Sequence, residues 1–251
     1  MKLAVILPHK DREVYKEFQK VYLTEYLKAQ NIEHKVYFVE QKRDGLFNRA
    51  KSINVGVKFA EKDFLPEYLV ISDIDMVPIN IEYSYAGFAE VWFGNAGGVK
   101  VLLSDFMAVN GFNNKFEGWG YEDSEFWNRL NVLQIKNNIW KLYHPEAELV
   151  DLELRSSDTK IHSKEYYGIP NPPRFFMPSE KEVTRHIDVL YPKTWLFPYQ
   201  KQNNANLCDS IKKKPQTEAI DYFRLNGVNE ISLESIGSTP ISDTVTELYW
   251  E

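Results

Sequence analysis

Tyr68-Leu69-Val70-Ile71-Ser72-Asp73-Ile74-Asp75 is an apolar run that stops at two carboxylates. Large apolar residues in unbroken succession suit a strand covered on both faces. The same pattern recurs toward the N-terminus. Leu3–Leu7 is a short apolar run ended by Pro8, and Lys35–Val39 sets Val36 and Phe38 on one face and Tyr37 and Val39 on the other. Helical patterns lie between these runs. Asp11 is placed to cap the first, whose residues Val14, Phe18, Val21 and Tyr22 lead toward Ala29. The second, Asn48–Lys62, carries Ile53, Val57 and Ala60 at helical spacing. Strand and helix alternate three times in about 75 residues, which predicts βαβ units and a largely parallel sheet.

Further along, Gly94–Val99 leads into another strand, and Ser104–Asn110 reads as a short helix ended by Gly111. Gly118-Trp119-Gly120 precedes a helix over Glu122–Leu133 with Phe126, Leu130 and Leu133 as its apolar stripe. Beyond about residue 145 the periodicity weakens. Pro170-Asn171-Pro172-Pro173 must be extended or turned. Gln200–Gln216 is polar and reads as a loop or insertion, and Tyr222–Glu251 has room for two closing strands.

The 251 residues are 43% hydrophobic and 26% charged, an ordinary globular mixture able to bury a sizeable core in one domain. The net charge of −6 excludes the global basic footprint of a nucleic-acid binder. An anionic ligand must then be held by a local device: a metal, an arginine or a helix N-terminus. The single Cys208 excludes an intramolecular disulfide and a zinc site built on several cysteines. No apolar run approaches the roughly 20 residues that span a bilayer, and Met1–Pro8 is too short for a secretory leader. A cytoplasmic chain, or a trimmed catalytic domain, is expected.

Ligands of open α/β sheets bind beyond the carboxyl ends of the strands. Pro8-His9-Lys10-Asp11-Arg12 and Ser72-Asp73-Ile74-Asp75 sit there. Two carboxylates at a strand end supply the hard oxygens that Mg²⁺ or Mn²⁺ prefer, and such a cation bridges to phosphates. An acidic turn that merely caps a helix has the same sequence. Glu122-Asp123 at a helix start is favoured by the helix dipole in any protein. Its neighbour, a tryptophan between two glycines, is instead suited to swing over a ligand.

Read together, these blocks resemble the beta-1,4-galactosyltransferase family, glycosyltransferase family 7 of the GT-A fold. Pro8-His9-Lys10-Asp11-Arg12 looks like its first motif. Phe47-Asn48-Arg49-Ala50-Lys51-Ser52-Ile53-Asn54-Val55-Gly56 is similar to its FNRAK block, and Ser72-Asp73-Ile74-Asp75-Met76-Val77-Pro78 to its SDVD block. Gly97-Gly98-Val99, Asn110-Gly111-Phe112-Asn113-Asn114 and Gly118-Trp119-Gly120-Tyr121-Glu122-Asp123 follow in the family's order, then His162 ahead of Pro170-Asn171-Pro172-Pro173-Arg174-Phe175. The match spans roughly residues 3–175.

The resemblance implies a metal-dependent inverting transfer of galactose, or GalNAc, from a UDP-sugar to a sugar acceptor's hydroxyl. Asp75 and His162 would hold Mn²⁺ (or Mg²⁺). Pro8, His9, Lys10, Arg12, Phe47, Arg49, Asp73, Ile74, Asp75 and Gly98 would line the donor pocket, with Trp119 closing over donor and acceptor. Asp123 would be the general base, with Glu122, Arg174 and Phe175 at the acceptor. One GT-A domain is expected over 1–251: a nucleotide-binding part to residue 80, an acceptor part over 81–175 and an extension over 176–251. The alternative is a catalytically degenerate module that binds sugar or nucleotide. Three departures concern substrate and metal. Thr159 stands where the family has a metal-binding methionine, Tyr121 replaces a glycine, and Asn95 replaces an aromatic that crowds the donor's 2-position.

Overall fold

The computed structural model describes residues 1–78, 81–85, 89–92, 98–118, 120–133, 135, 139–140, 149–151 and 196–251. Its centre is an eight-stranded mixed sheet. The strands are β1 (Leu3–His9), β2 (His34–Gln41), β3 (Tyr68–Ser72), β5 (Ala89–Trp92), β6 (Gly98–Leu102), β7 (Ile139–Trp140), β9 (Ile236–Ser242) and β10 (Val245–Trp250), in the order β7-β5-β6-β3-β1-β2-β10-β9. A two-stranded ribbon pairs β4 (Met76–Pro78) with β8 (Leu149–Asp151). Strands β3, β1, β2 and β10 run parallel, while β6 and β9 run antiparallel to their neighbours. The predicted βαβ framework is therefore present. The closing strands arise in the predicted stretch, and β10 extends the parallel core beside β2.

Each sheet face has its own core. Leu3, Val5, Leu7, Val36 and Phe38 meet Tyr15, Leu23 and Leu27 of helix α1 (Glu13–Ala29). Ala4, Ile6, Tyr37 and Val39 meet Ala50, Ile53, Val57 and Ala60 of α2 (Arg49–Asp63). The buried face of α1 differs from the expected stripe. Val14 and Val21 are exposed, and Tyr15, Gln19 and Leu23 point inward. The reason is a ladder in which Phe18, Tyr22 and Tyr26 stack at 5.6 and 5.7 Å and the two phenols donate to the carbonyls of Pro78 and Ile81. Asp11 has a positive φ of 53° and lies one residue outside the helix, so Arg12 occupies the cap position and its side chain does not cap the helix. Asn48 does cap α2, its side chain accepting from the Lys51 amide at 2.7 Å.

Helix α3 (Leu103–Ala108) and helix α4 (Glu122–Val132) complete the α2 side, Phe126 stacking on Phe112 at 4.3 Å. The polar stretch expected to be a loop is two helices, α5 (Leu196–Lys212) and α6 (Gln216–Leu225). Asn204, Cys208 and Ile211 form the buried stripe of α5, with one asparagine in place of an apolar residue. Among the described residues no helix is long and apolar enough to cross a membrane.

The Asn110–Asn114 segment ties these helices together. The Asn110 amide donates to the carbonyls of Phe223 and Arg224, and the Asn110 carbonyl accepts from Val228. A β-carbon on Gly227 would lie 1.8 Å from that carbonyl oxygen. Gly227→Ala is expected to destabilise the chain by about 1–3 kcal/mol through forced repacking, read as a lower urea midpoint at unchanged m-value.

Candidate functional site

The carboxyl ends of β1, β2 and β3 converge with the start of α4. After β3 the chain turns tightly, the Met76 amide bonding the Asp73 carbonyl at 3.2 Å. Gln19 of α1 braces this turn from below, its amide donating to the carbonyls of Met76 at 2.7 Å and Ile74 at 3.3 Å. Ile74 fills the core on the α1 side, so the turn is anchored between two acids.

The two aspartates have different partners. Asp75 is fully buried, and Arg12 Nη1 meets its Oδ2 at 2.9 Å. Asp73 is partly exposed, and Arg49 Nε donates to its Oδ1 at 2.8 Å. Arg49 also reaches Glu122 Oε1 at 3.6 Å through Nη1. One guanidinium on α2 thus joins the turn after β3 to the first turn of α4, 49 positions further along the sequence. Burial works against charge on Arg49, but Asp73 and Glu122 outweigh it and raise its pKa. Glu122 is pushed up to about 7 by burial, then by Asp123, against the pull of Arg49. Asp123 is less buried, and its Oδ1 accepts from the Ser124 amide at 2.6 Å. The residue before α4, Tyr121, has φ of 74°, a conformation that favours the glycine found there in the resembled pattern.

The raised Glu122 carboxyl has a consequence for stability. Folded Glu122 titrates near 7 and an ordinary glutamate near 4.5, so between those values the folded chain holds a proton that the unfolded chain has released. Stability from this group therefore falls as pH rises from about 4.5 to 7, by up to about 3 kcal/mol. Glu122→Gln is expected to remove that decline, as read by urea melts across the window.

His9 is buried on the α1 face, its ring nitrogens without a hydrogen-bond partner among the described residues. Burial and then the Lys16 ammonium lower its pKa to about 3, so it is neutral near pH 7. Pro8 is buried past the last β1–β3 pairing, where its missing amide costs no ladder bond. Lys10 Nζ holds the β2–α2 loop through the carbonyls of Arg43 at 2.8 Å and Gly45 at 2.7 Å. The Phe47 carbonyl accepts from the Gly118 amide at 2.9 Å, and Gly98 pairs with Ser72 beside the acidic turn. Trp119, His162, Arg174 and Phe175 lie outside the described residues, as do Asn95 and Thr159. Gln19 and Gln41 had no sequence signal. Gln41 accepts from the Asn48 amide at 2.7 Å and donates to the Leu46 carbonyl, so it shapes the same loop.

Among the described residues no group of three His, Cys, Asp or Glu could hold a metal ion. Asp75 supplies carboxylate oxygen, the hard donor type that Mn²⁺ and Mg²⁺ take, so the donor chemistry fits, with the second expected ligand, His162, outside this region.

Residues 1–87 match the N-terminal region of glycosyl transferase group 7, and residues 78–148 match the N-terminal domain of galactosyltransferase. Beta-1,4-galactosyltransferase 1 of Bos taurus is 29% identical over 211 residues, covering 78% of this chain and 50% of that protein. The chain spans about half the length of the curated relatives it matches. The catalytic domain of Drosophila beta-1,4-galactosyltransferase 7, solved with xylobiose, superposes with a TM-score of 0.60 at 19% identity, covering 100% of this chain and 94% of that one. A mutant of that Drosophila enzyme, solved with manganese, UDP-Gal and xylobiose, gives 0.58 at 18%, with the same coverage. The two structures share its GT-A architecture. Together the two family models run without a gap from residue 1 to 148 and take in both acidic motifs; the chain belongs to the glycosyl transferase group 7 family of galactosyltransferases.

Proposed function

We propose that this chain transfers galactose from UDP-galactose to a hydroxyl of a sugar acceptor, with inversion and with a divalent cation. The observation that carries this reading is the Arg49 bridge, which gathers Asp73 and Glu122 at the carboxyl edge of the sheet with Asp123 adjacent. A phosphate-side acid pair and an acceptor-side acid pair then share one site. The Drosophila neighbour that holds manganese, UDP-Gal and xylobiose supports the same donor and cation here.

Asp75 and His162 would hold the cation, which when bound offsets charge on the departing diphosphate. Asp123 accepts the proton of the acceptor hydroxyl as that oxygen bonds to the anomeric carbon. The bond from that carbon to UDP breaks, and UDP leaves with the electron pair. Glu122, with a pKa near neutrality, is suited to hydrogen-bond the acceptor in either protonation state. Arg49 keeps both acidic segments in register. In the resembled pattern Asn95 replaces an aromatic that crowds the donor's 2-position, so parallel assays with UDP-galactose and UDP-GalNAc identify the sugar.

The test is UDP release from UDP-galactose by the full chain with Mn²⁺ and a mixed panel of sugar acceptors. Wild type is expected to release UDP only when acceptor and cation are both present. Asp75→Ala is expected to abolish Mn²⁺-dependent UDP binding. UDP binding by wild type with no release across the panel would replace transfer by the binding-module reading.

A further inference from the structure

The β2–α2 loop carries Phe47 and leads to Arg49, and it is held from a direction that neither family model covers. Trp250, near the end of β10, is buried on the α2 face. Its indole nitrogen donates to Ser52 Oγ at 3.1 Å, and its carbonyl accepts from the Lys42 amide at 2.9 Å. Two cations lie over its ring. Lys51 Nζ is 4.4 Å from the ring centroid and the Arg43 guanidinium is 5.4 Å away. Burial and then Arg43 lower the pKa of Lys51, as expected for two cations sharing one plate.

Arg43 leaves that plate to pair with Glu117. Glu117 is in turn fixed by its backbone, since its carbonyl accepts from the Asn204 amide of α5 at 3.0 Å. The next residue, Gly118, bonds the Phe47 carbonyl. The chain then proceeds to Glu122 and Asp123. Both partners of the Arg43–Glu117 pair are partly exposed, 36% and 42%, and an ion pair this wet contributes little to overall stability. What distinguishes it is where it acts: Arg43 is held by the Trp250 ring and by Lys10 on its carbonyl, and Glu117 sits at the root of the acidic segment.

We infer that Arg43 is a positioning residue of the donor site, resting on Trp250 so that its bond to Glu117 holds the β2–α2 loop against the segment that leads into the acid pair. The C-terminal strand is thereby part of the donor site's framework. The inference rests on the donor pocket proposed above, but nucleotide binding tests it apart from transfer.

The experiment titrates UDP calorimetrically in Mn²⁺ into the full chain carrying Arg43→Gln, Glu117→Gln, the exchanged pair Arg43→Glu with Glu117→Arg, or Trp250→Phe. Thermal midpoints are taken alongside. Each single charge removal is expected to weaken UDP roughly fivefold, with the melting point close to wild type. The exchanged pair is expected to recover most of that loss. Trp250→Phe, which keeps a ring face, is expected to stay within about twofold. Unchanged UDP affinity in both single variants, or an exchanged pair no better than either, overturns the inference. UDP binding without release from UDP-galactose sinks the transfer reading and leaves this one standing; no UDP binding by wild type sinks both.

Discussion

Asp123→Asn is expected to lower kcat by roughly 10²–10⁴-fold while UDP affinity in Mn²⁺ stays within about threefold. The substitution removes one function and spares the others. Asparagine keeps the Oδ1 that accepts from the Ser124 amide, so the first turn of α4 retains its local bond. It cannot take a proton from an acceptor hydroxyl. The adjacent Glu122 does not substitute for it, because its carboxyl is buried beside Arg49 and, with a pKa near 7, carries a proton in part of the molecules at neutral pH. Glu122→Gln is accordingly expected to act mainly on acceptor KM, with a smaller loss in kcat. A thermal midpoint like wild type, with turnover gone and nucleotide binding kept, is the combined signature of a lost base. Turnover within tenfold of wild type in Asp123→Asn would end that assignment.

The frame of the site was legible because its strands are nearly pure apolar runs. Val36, Phe38, Tyr37 and Val39 divide between the two cores as their alternation predicts. Both acidic motifs were also visible, since the first follows the clear end of β3 and the second opens a helix after two closely spaced glycines. Their connection was not. Arg49 pairs with residues 24 and 73 positions away, and no local pattern encodes such partners. The α1 face shifted for a related reason: the tyrosines at 22 and 26 bond carbonyls at 78 and 81, and those tertiary bonds outrank the valines at 14 and 21. Helix α5 was hidden by its composition. Asn204 occupies a core position because its amide has the Glu117 carbonyl as partner; counted as a polar residue, it breaks the stripe that Cys208 and Ile211 would have announced. Trp250 reads as one aromatic in a short strand until Arg43 and Lys51 are placed over its ring.

The largest stability effect is expected one turn into α4. Glu125 and Arg129 are both fully buried, and the Arg129 Nε lies 2.9 Å from each Glu125 oxygen. The guanidinium also donates to the carbonyls of Val109 and Asn110 and lies 5.0 Å from the Phe223 ring centroid. It therefore joins α4 to the Asn110–Asn114 segment and to α6. Removing the carboxylate leaves that cation in the core with only neutral acceptors, and such an uncompensated charge costs about 3–5 kcal/mol. For a chain of this size, Glu125→Leu should lower the thermal midpoint by roughly 10 °C. Replacing both residues removes the orphan as well as the pair, so Glu125→Leu with Arg129→Met is expected to recover at least half of the loss. The contrast separates desolvated charge from packing: if the double variant melts no higher than Glu125→Leu alone, the cost lies in side-chain shape. The same comparison reports on the site, because α4 begins with Glu122 and Asp123. A folded double variant with native stability but raised acceptor KM would mean that the ion pair sets the pitch of the acid-bearing turn, beyond holding the helix in place.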